Sequence, residues 1–189
     1  MDSKSLDSLI AFHCAPTLAG IKPANMFSWR AAPASEMSAA TAKNILRGCG
    51  VSLEVLCSCE RHSLIYIYRR NMLEEVFTPE ANEFLEGYGY KSEAGVCEKL
   101  DTLKERFLSC GCFPHEIGLF LGYPIEDVRG FIENNGHGYK VCGTWKVYGD
   151  KEKSLQLFDR YKRCTEYFCK NFDAGREMAQ IVCSAPMFS

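Results

Sequence analysis

Long hydrophobic runs and a strong charge of one sign are both missing from the sequence. Its 189 residues carry a formal charge of −2, so the overall charge does not favour nucleic acid or an anionic membrane as a partner. The only candidate targeting segment, 8–21, is too short to span a bilayer and follows two aspartates instead of the positive start of a signal peptide. We therefore expect a cytoplasmic protein that has no membrane segment and does not bind nucleic acid.

Several common catalytic templates are also missing. The sequence has no phosphate-binding glycine loop, no dinucleotide glycine fingerprint, no Gly-x-Ser-x-Gly turn and no His-Glu-x-x-His motif. It has no Cys-x-x-Cys pair either, and structural zinc sites use such pairs because the spacing brings two thiolates to one ion. We expect none of the common nucleotide-binding, hydrolase or zinc-protease folds, and no structural zinc.

Cysteine, by contrast, is plentiful, with 11 residues. The number is odd, and the spacings Cys57-x-Cys59 and Cys110-x-Cys112 are not typical of a secreted disulfide framework. A chain of this length also buries enough surface to fold without disulfides or a metal. Free thiols in a reducing compartment are the simpler interpretation.

The composition is that of an ordinary globular protein, 47% hydrophobic and 24% charged. Repeats, low-complexity tracts and linker-like segments are missing, so we expect one domain over residues 1–189. Acidic residues prevail in 74–133 and basic residues in 139–163, which indicates two differently charged solvated faces.

Residue periodicity predicts an α+β fold. Alternating side chains in 51–57 and β-branched or aromatic residues in 63–69 predict a hairpin. The period of two returns at 139–148, where we expect a third strand. The predicted fold is a small antiparallel sheet, the hairpin 51–69 plus the strand 139–148, packed by about seven or eight helices.

The helices are predicted from apolar spacing and from their start and stop residues. Four apolar residues of 96–107 fall on one helix face. A first helix is expected to end at Pro16, and another to run from Ser35 to about Arg47, where glycines follow. The segment 114–134 has the spacing of a helix-turn-helix, but its second helix offers carboxylates that repel phosphate. We interpret it as two core helices.

Cys14 and Lys22 form the first candidate site. Both lie at the end of the first helix or in the loop that follows it. A thiol near a cation can have a lowered pKa and act as a nucleophile or a metal ligand, with His115 as the base or as a second ligand. A buried, unreactive cysteine is the alternative interpretation.

His115 and Glu116 follow Cys110 and Cys112 closely and form the second candidate site. This spacing does not suit structural zinc, whereas haem needs only one or two axial ligands, so an iron or haem contact through His115 is an open possibility. The start of a helix at Pro114 would also present free N–H groups to an anion.

Tyr123 and Trp145 are the third candidate site, as the wall of a flat ligand. Lys22 and Lys146 would pair with its anionic groups. Most strand aromatics pack in the core or across strands, and that is the alternative interpretation here.

Three segments resemble a family of uncharacterised proteins from anaerobic Gram-positive bacteria, catalogued as domain of unknown function 3793. They are HCAPTLAGIKPAN at 13–25, FPHEIGLFLGYP at 113–124 and CGTWKVY at 142–148. The resemblance covers nearly the whole chain and implies one domain. It implies no activity, because none is established for the family.

The resemblance also implies a role in iron or redox physiology, since genes of the family lie near genes for iron uptake and flavodoxin. The leading hypothesis is a protein that binds a small ligand or an iron-containing cofactor through Cys14, His115, Glu116 and the residues of the third site. One alternative is a thiol-dependent enzyme with Cys14 as nucleophile. Another is a non-catalytic module that docks a redox protein such as flavodoxin.

Overall fold

The structure is a computed structural model that describes residues 5–30, 43, 46, 48–59, 62–109 and 113–188. These residues form eight helices and five strands, which confirms the predicted α+β fold. The chain divides into two compact units, a first unit of Met1–Arg70 with Tyr161–Ser189 and a second unit of Asn71–Arg160. The expectation of a single domain stays a prediction. The helix predicted at 35–47 falls almost entirely outside the described residues.

A three-stranded antiparallel sheet forms the centre of the first unit. Its strands are β1 (Ala24–Trp29), β2 (Ser52–Ser58) and β3 (Ser63–Tyr68), in the order β1-β3-β2. β2 and β3 are the predicted hairpin, and the Cys59 N–H donates to the His62 carbonyl at 2.8 Å across the turn. The hairpin at 51–69 is therefore confirmed.

The third strand of this sheet is β1, and the prediction that 139–148 supplies it is wrong. β1 pairs with β3 from Ala24 opposite Tyr68 to Trp29 opposite Ser63. Its buried residues are Ala24 and Phe27, three positions apart. Because this spacing does not alternate, the strand gives no period-two signal.

Helices cover the sheet of the first unit. α1 (Leu6–Leu18) continues two residues beyond Pro16, where the sequence predicted its end. A proline removes its own N–H and crowds the carbonyl four residues earlier, but the N–H groups that follow it can still bond, and the Ala19 N–H donates to the Ala15 carbonyl at 2.9 Å. The Arg69 guanidinium binds the carbonyls of the last turn of α1. Its Nε donates to the Thr17 carbonyl at 2.7 Å, and its Nη2 donates to the Leu18 carbonyl at 2.6 Å.

The second unit is mainly helical. Its helices are α2 (Arg70–Val76), α3 (Pro79–Glu86), α4 (Val96–Ser109), α5 (Ile117–Phe120), α6 (Ile125–Glu133) and the start of α7 (Lys151–Asp173). The rest of α7 and α8 (Met178–Cys183) belong to the first unit. Val96, Leu100 and Leu103 are buried along α4, as the helical spacing predicted. No helix in the described ranges is both long enough and apolar enough to cross a membrane.

The segment 139–148 folds back on itself within the second unit. β4 (Val141–Cys142) pairs with β5 (Lys146–Val147), and the Gly143 N–H donates to the Trp145 carbonyl at 3.0 Å inside the turn. The period of two correctly indicated extended backbone but could not show that a tight turn interrupts it. The turn lays Trp145 against the helices of the same unit.

Candidate functional site

The predicted site residues are divided between the two units. Cys14 and Lys22 belong to the first unit, and the other five belong to the second. Within the second unit they form three groups: Glu116, the pair His115 and Lys146, and the pair Tyr123 and Trp145.

Cys14 and Lys22 are both buried, with 0% and 2% of their surface exposed. Burial raises the pKa of the Cys14 thiol and lowers the pKa of Lys22 to about 7, each partly offset by the charge of the other group. The Lys22 ammonium also lies 5.9 Å from the ring centre of Tyr161. A thiol with a raised pKa is protonated at neutral pH, which is the opposite of an activated nucleophile.

Glu116 is buried, with 1% of its surface exposed. Its carboxylate accepts hydrogen bonds from Arg106 Nε and from the Tyr90 hydroxyl, the latter at 3.1 Å. Burial and the nearby Glu116 charge raise the pKa of Tyr90, so the phenol is a hydrogen-bond donor at neutral pH. These contacts engage the Glu116 carboxylate inside the second unit.

His115 and Lys146 both contact Phe131. The ring centres of His115 and Phe131 are 5.0 Å apart, and the Lys146 ammonium lies 5.6 Å from the same Phe131 ring. Lys146 also lies 5.0 Å from the Tyr139 ring centre and donates to the Gly136 carbonyl at 2.8 Å. The structure therefore brings these two predicted residues together through an aromatic ring that the sequence analysis did not single out.

Tyr123 and Trp145 stack on each other, with ring centres 4.8 Å apart. Trp145 is held in turn by Asp127, whose Oδ2 accepts a hydrogen bond from the indole Nε1 at 2.6 Å, and by Phe158, whose ring is T-shaped to the indole with the ring centres 4.6 Å apart. Gly143 makes room for Phe158, since a Cβ at that position would overlap the ring. One face of the Tyr123 ring therefore packs on an indole whose position is fixed.

Asp127 organises this part of the second unit. It is 2% exposed, and its Oδ1 accepts hydrogen bonds from the backbone N–H groups of Tyr148 at 2.6 Å and Gly149 at 2.7 Å. Together with the indole, three donors converge on one carboxylate. This arrangement ties both the β4–β5 turn and the backbone just after β5 to the first turn of α6.

A groove of about 390 Å³ lies in front of Tyr123. Its walls come from the end of α2, the start of α3, the segment from α5 to the start of α6, and the start of α7. The apolar lining residues are Val76, Ala81, Leu119, Tyr123, Pro124, Ile125 and Leu157, and the charged ones are Glu75, Glu126, Asp150 and Lys153. All of these residues belong to the second unit.

Two carboxylates are fixed at the edge of the groove by local structure. Asp150 Oδ1 accepts a hydrogen bond from the Lys153 N–H at 3.0 Å in the first turn of α7. Glu126 lies against the backbone at Gly149, where a Cβ would come within 2.5 Å of its Cγ. The groove therefore combines an apolar interior with a few positioned polar groups, which is typical of small-molecule sites.

The described residues contain no group of three His, Cys, Asp or Glu side chains that could hold a metal ion. Cys110 and Cys112, which precede His115 in the sequence, lie outside the described residues. The iron or haem contact, the thiol enzyme and the docking of flavodoxin all stay predictions.

The family model described as "Protein of unknown function (DUF3793)" matches residues 10–182. The chain belongs to the DUF3793 family. This confirms the resemblance identified from the three segments. No curated protein and no solved structure matches the chain, and the family description names no function. The matched range includes the buried pair of the first unit and the whole groove of the second.

Lys22 gives this DUF3793 protein an expected pH dependence. The ordinary lysine pKa of 10.5 applies to the unfolded chain, whereas burial lowers the folded value to about 7. Between these values the unfolded state binds a proton that the folded state lacks, so the free energy of unfolding rises with pH. We expect a rise of about 2 kcal/mol between pH 7 and 9.

Urea unfolding at several pH values measures this rise. Between the ordinary thiol pKa of 9.0 and the ordinary lysine pKa of 10.5 the rise is expected to level off, because burial keeps Cys14 protonated only in the folded state, and above pH 10.5 the free energy of unfolding should fall. Lys22→Met should remove the rise, and Lys170→Met, on the exposed side of α7, should keep it. An unchanged slope in Lys22→Met would show that another group causes the pH dependence.

Proposed function

We propose that this DUF3793 protein binds a small organic ligand in the groove of its second unit. The observation that carries the proposal is the groove itself, about 390 Å³ in volume with an apolar interior and a braced aromatic wall. Ligand sites in proteins are clefts of about 300–1,000 Å³ with mainly apolar linings and a few fixed polar groups. The groove meets both criteria.

The wall is organised before any ligand arrives. Tyr123 cannot turn toward Trp145, because the indole fills that side and is itself held by Asp127 and Phe158. A site that is already ordered loses less conformational entropy on binding. The groove can therefore hold a compact ligand without rearranging its wall.

Tryptophan fluorescence offers a direct test. The chain has two tryptophans, and Trp29→Phe leaves Trp145, which touches the groove wall, as the sole reporter. In that background, 2-phenylethanol and phenethylamine serve as probes. At least one of them is expected to change the Trp145 signal in a saturable way, with a Kd of about 1 mM, as expected for so small a ligand.

The matched variants are Tyr123→Ala and Tyr123→Phe. Removing the ring should weaken probe binding by about tenfold or more, and keeping the ring without its hydroxyl should change it by less than about twofold. Urea unfolding establishes that both variants are folded at the assay temperature. The proposal is overturned if neither probe binds, or if folded Tyr123→Ala binds them as well as the parent does.

A further inference from the structure

We infer that the ligand of the groove carries a basic group, such as a primary amine, next to an apolar or aromatic body. This inference rests on the proposed function and adds the chemical class of the ligand. The groove is lined by the carboxylates of Glu75, Glu126 and Asp150 and by a single ammonium group, that of Lys153. Its charges therefore complement a cation.

The helix ends around the groove do not cancel this charge. α3 begins at Pro79, α6 at Ile125 and α7 at Lys151, and each start contributes roughly half a positive charge. α2 ends at Val76 on the same groove, and its terminal carbonyls add partial negative charge. With Lys153 included, about one negative charge is left uncompensated. An ammonium group would balance it.

The carboxylates at the start of α6 and α7 keep acceptor capacity for such a ligand. Asp150 uses Oδ1 to receive the Lys153 backbone N–H, and a carboxylate offers about four acceptor positions in all. Glu126 packs against Gly149. This contact positions the side chain without using an acceptor position of its carboxylate. Both side chains are exposed, so an amine can reach them without leaving water entirely.

The apolar lining indicates what the amine is attached to. Leu119, Tyr123 and Leu157 line the interior of the groove, whereas the charged side chains are exposed. A ligand with one ring or a short branched chain beside its amine would place the two parts against matching surfaces. The expected class is thus a small aromatic or aliphatic amine.

Three probes with the same phenyl ring and two-carbon spacer isolate the effect of the head group. They are phenethylamine, which is cationic at pH 7, 2-phenylethanol, which is neutral, and hydrocinnamate, which is anionic. In the Trp29→Phe background we expect phenethylamine to bind about tenfold more tightly than 2-phenylethanol and hydrocinnamate to bind most weakly. The advantage of the amine should shrink as salt is added, because exposed charges are screened.

Variants that remove one carboxylate charge then show which residues cause the preference for the amine. Asp150→Asn removes the charge but keeps a good helix-capping residue, and Glu126→Gln keeps the size of the side chain. Each should weaken phenethylamine binding by about three- to tenfold and leave 2-phenylethanol unchanged. Glu83→Gln, on the exposed side of α3 and outside the groove, is the matched control and should change neither.

The possible results separate the inference from the proposed function. If 2-phenylethanol or hydrocinnamate binds as tightly as phenethylamine, or if both variants keep full affinity for the amine, the inference is overturned although the groove still binds ligands. If none of the three probes binds, the proposed function fails and the inference fails with it. A preference for phenethylamine that both variants reduce and Glu83→Gln retains supports the inference.

Discussion

Replacing Asp127 by alanine is expected to lower the free energy of unfolding of the second unit by about 3–5 kcal/mol. The carboxylate is 2% exposed and receives the Trp145 indole and two backbone N–H groups. Without it, the buried indole N–H and two partly buried backbone N–H groups lose their acceptor, and each buried donor left without a partner costs roughly 1–3 kcal/mol. Few single substitutions in this unit remove as many hydrogen bonds at once.

The same substitution should also affect the groove. Trp145 would lose its hydrogen bond to Asp127, and Tyr123 would lose the fixed partner on which it stacks. We expect weaker binding of the phenyl probes by Asp127→Ala under conditions where it is still folded.

Urea unfolding followed by Trp145 fluorescence, in the Trp29→Phe background, measures the change in stability. Glu133→Gln is the control, since it alters an exposed carboxylate on the same helix and should leave the unfolding midpoint unchanged. If Asp127→Ala unfolds within about 0.5 kcal/mol of the parent, the carboxylate does not organise this turn.

Arg69→Met is expected to destabilise the first unit by about 2–4 kcal/mol. The guanidinium donates to the carbonyls of Thr17 and Leu18 at the end of α1 and, at 3.3 Å, to the carbonyl of Cys49. The Thr17 carbonyl also accepts the Gly20 N–H at 3.1 Å, whereas the Leu18 and Cys49 carbonyls lie at a helix end and a turn, where backbone donors are scarce. Methionine keeps much of the apolar stem but offers no donor.

Far-UV circular dichroism during urea unfolding measures the effect. Arg69→Lys should be intermediate, because an ammonium group cannot reproduce the planar fork of donors. Arg30→Met, at an exposed position just after β1, should leave stability unchanged. Equal stability of Arg69→Met and the parent would mean that water replaces the guanidinium without cost.

The sequence predicted those parts of the fold whose signals are local. The helix 96–109 and the hairpin at 51–69 were predictable because apolar spacing, β-branched residues and turn position agree over short windows. The strand that pairs with the hairpin, β1, was not predictable, because strand pairing depends on contacts between residues that are distant in the sequence. β1 buries residues three apart, and the extended segment at 139–148 turns back at Gly143.

The site was predictable only in part. The sequence singled out Tyr123 and Trp145, and the structure stacks them. It did not single out Asp127, which was counted only among the carboxylates of the second helix that repel phosphate. One signal was present in the sequence, because Asp127 and Gly130 lie three residues apart on one face of the helix. A small residue on a helix often marks a place where another part of the chain comes close, and the Tyr148 ring packs against Gly130. Burial and hydrogen-bond partners decide the role of an aspartate, and neither is visible in composition.

Titration of methyl groups by nuclear magnetic resonance tests the groove as a ligand site most directly. With isoleucine and leucine methyls labelled, phenethylamine should shift Leu119, Ile125 and Leu157, which line the groove, along one saturable curve. Leu6 and Ile10 in the core of the first unit should not move. Shifts that are absent, that do not saturate, or that are centred on the first unit would contradict the assignment of the groove as the binding site.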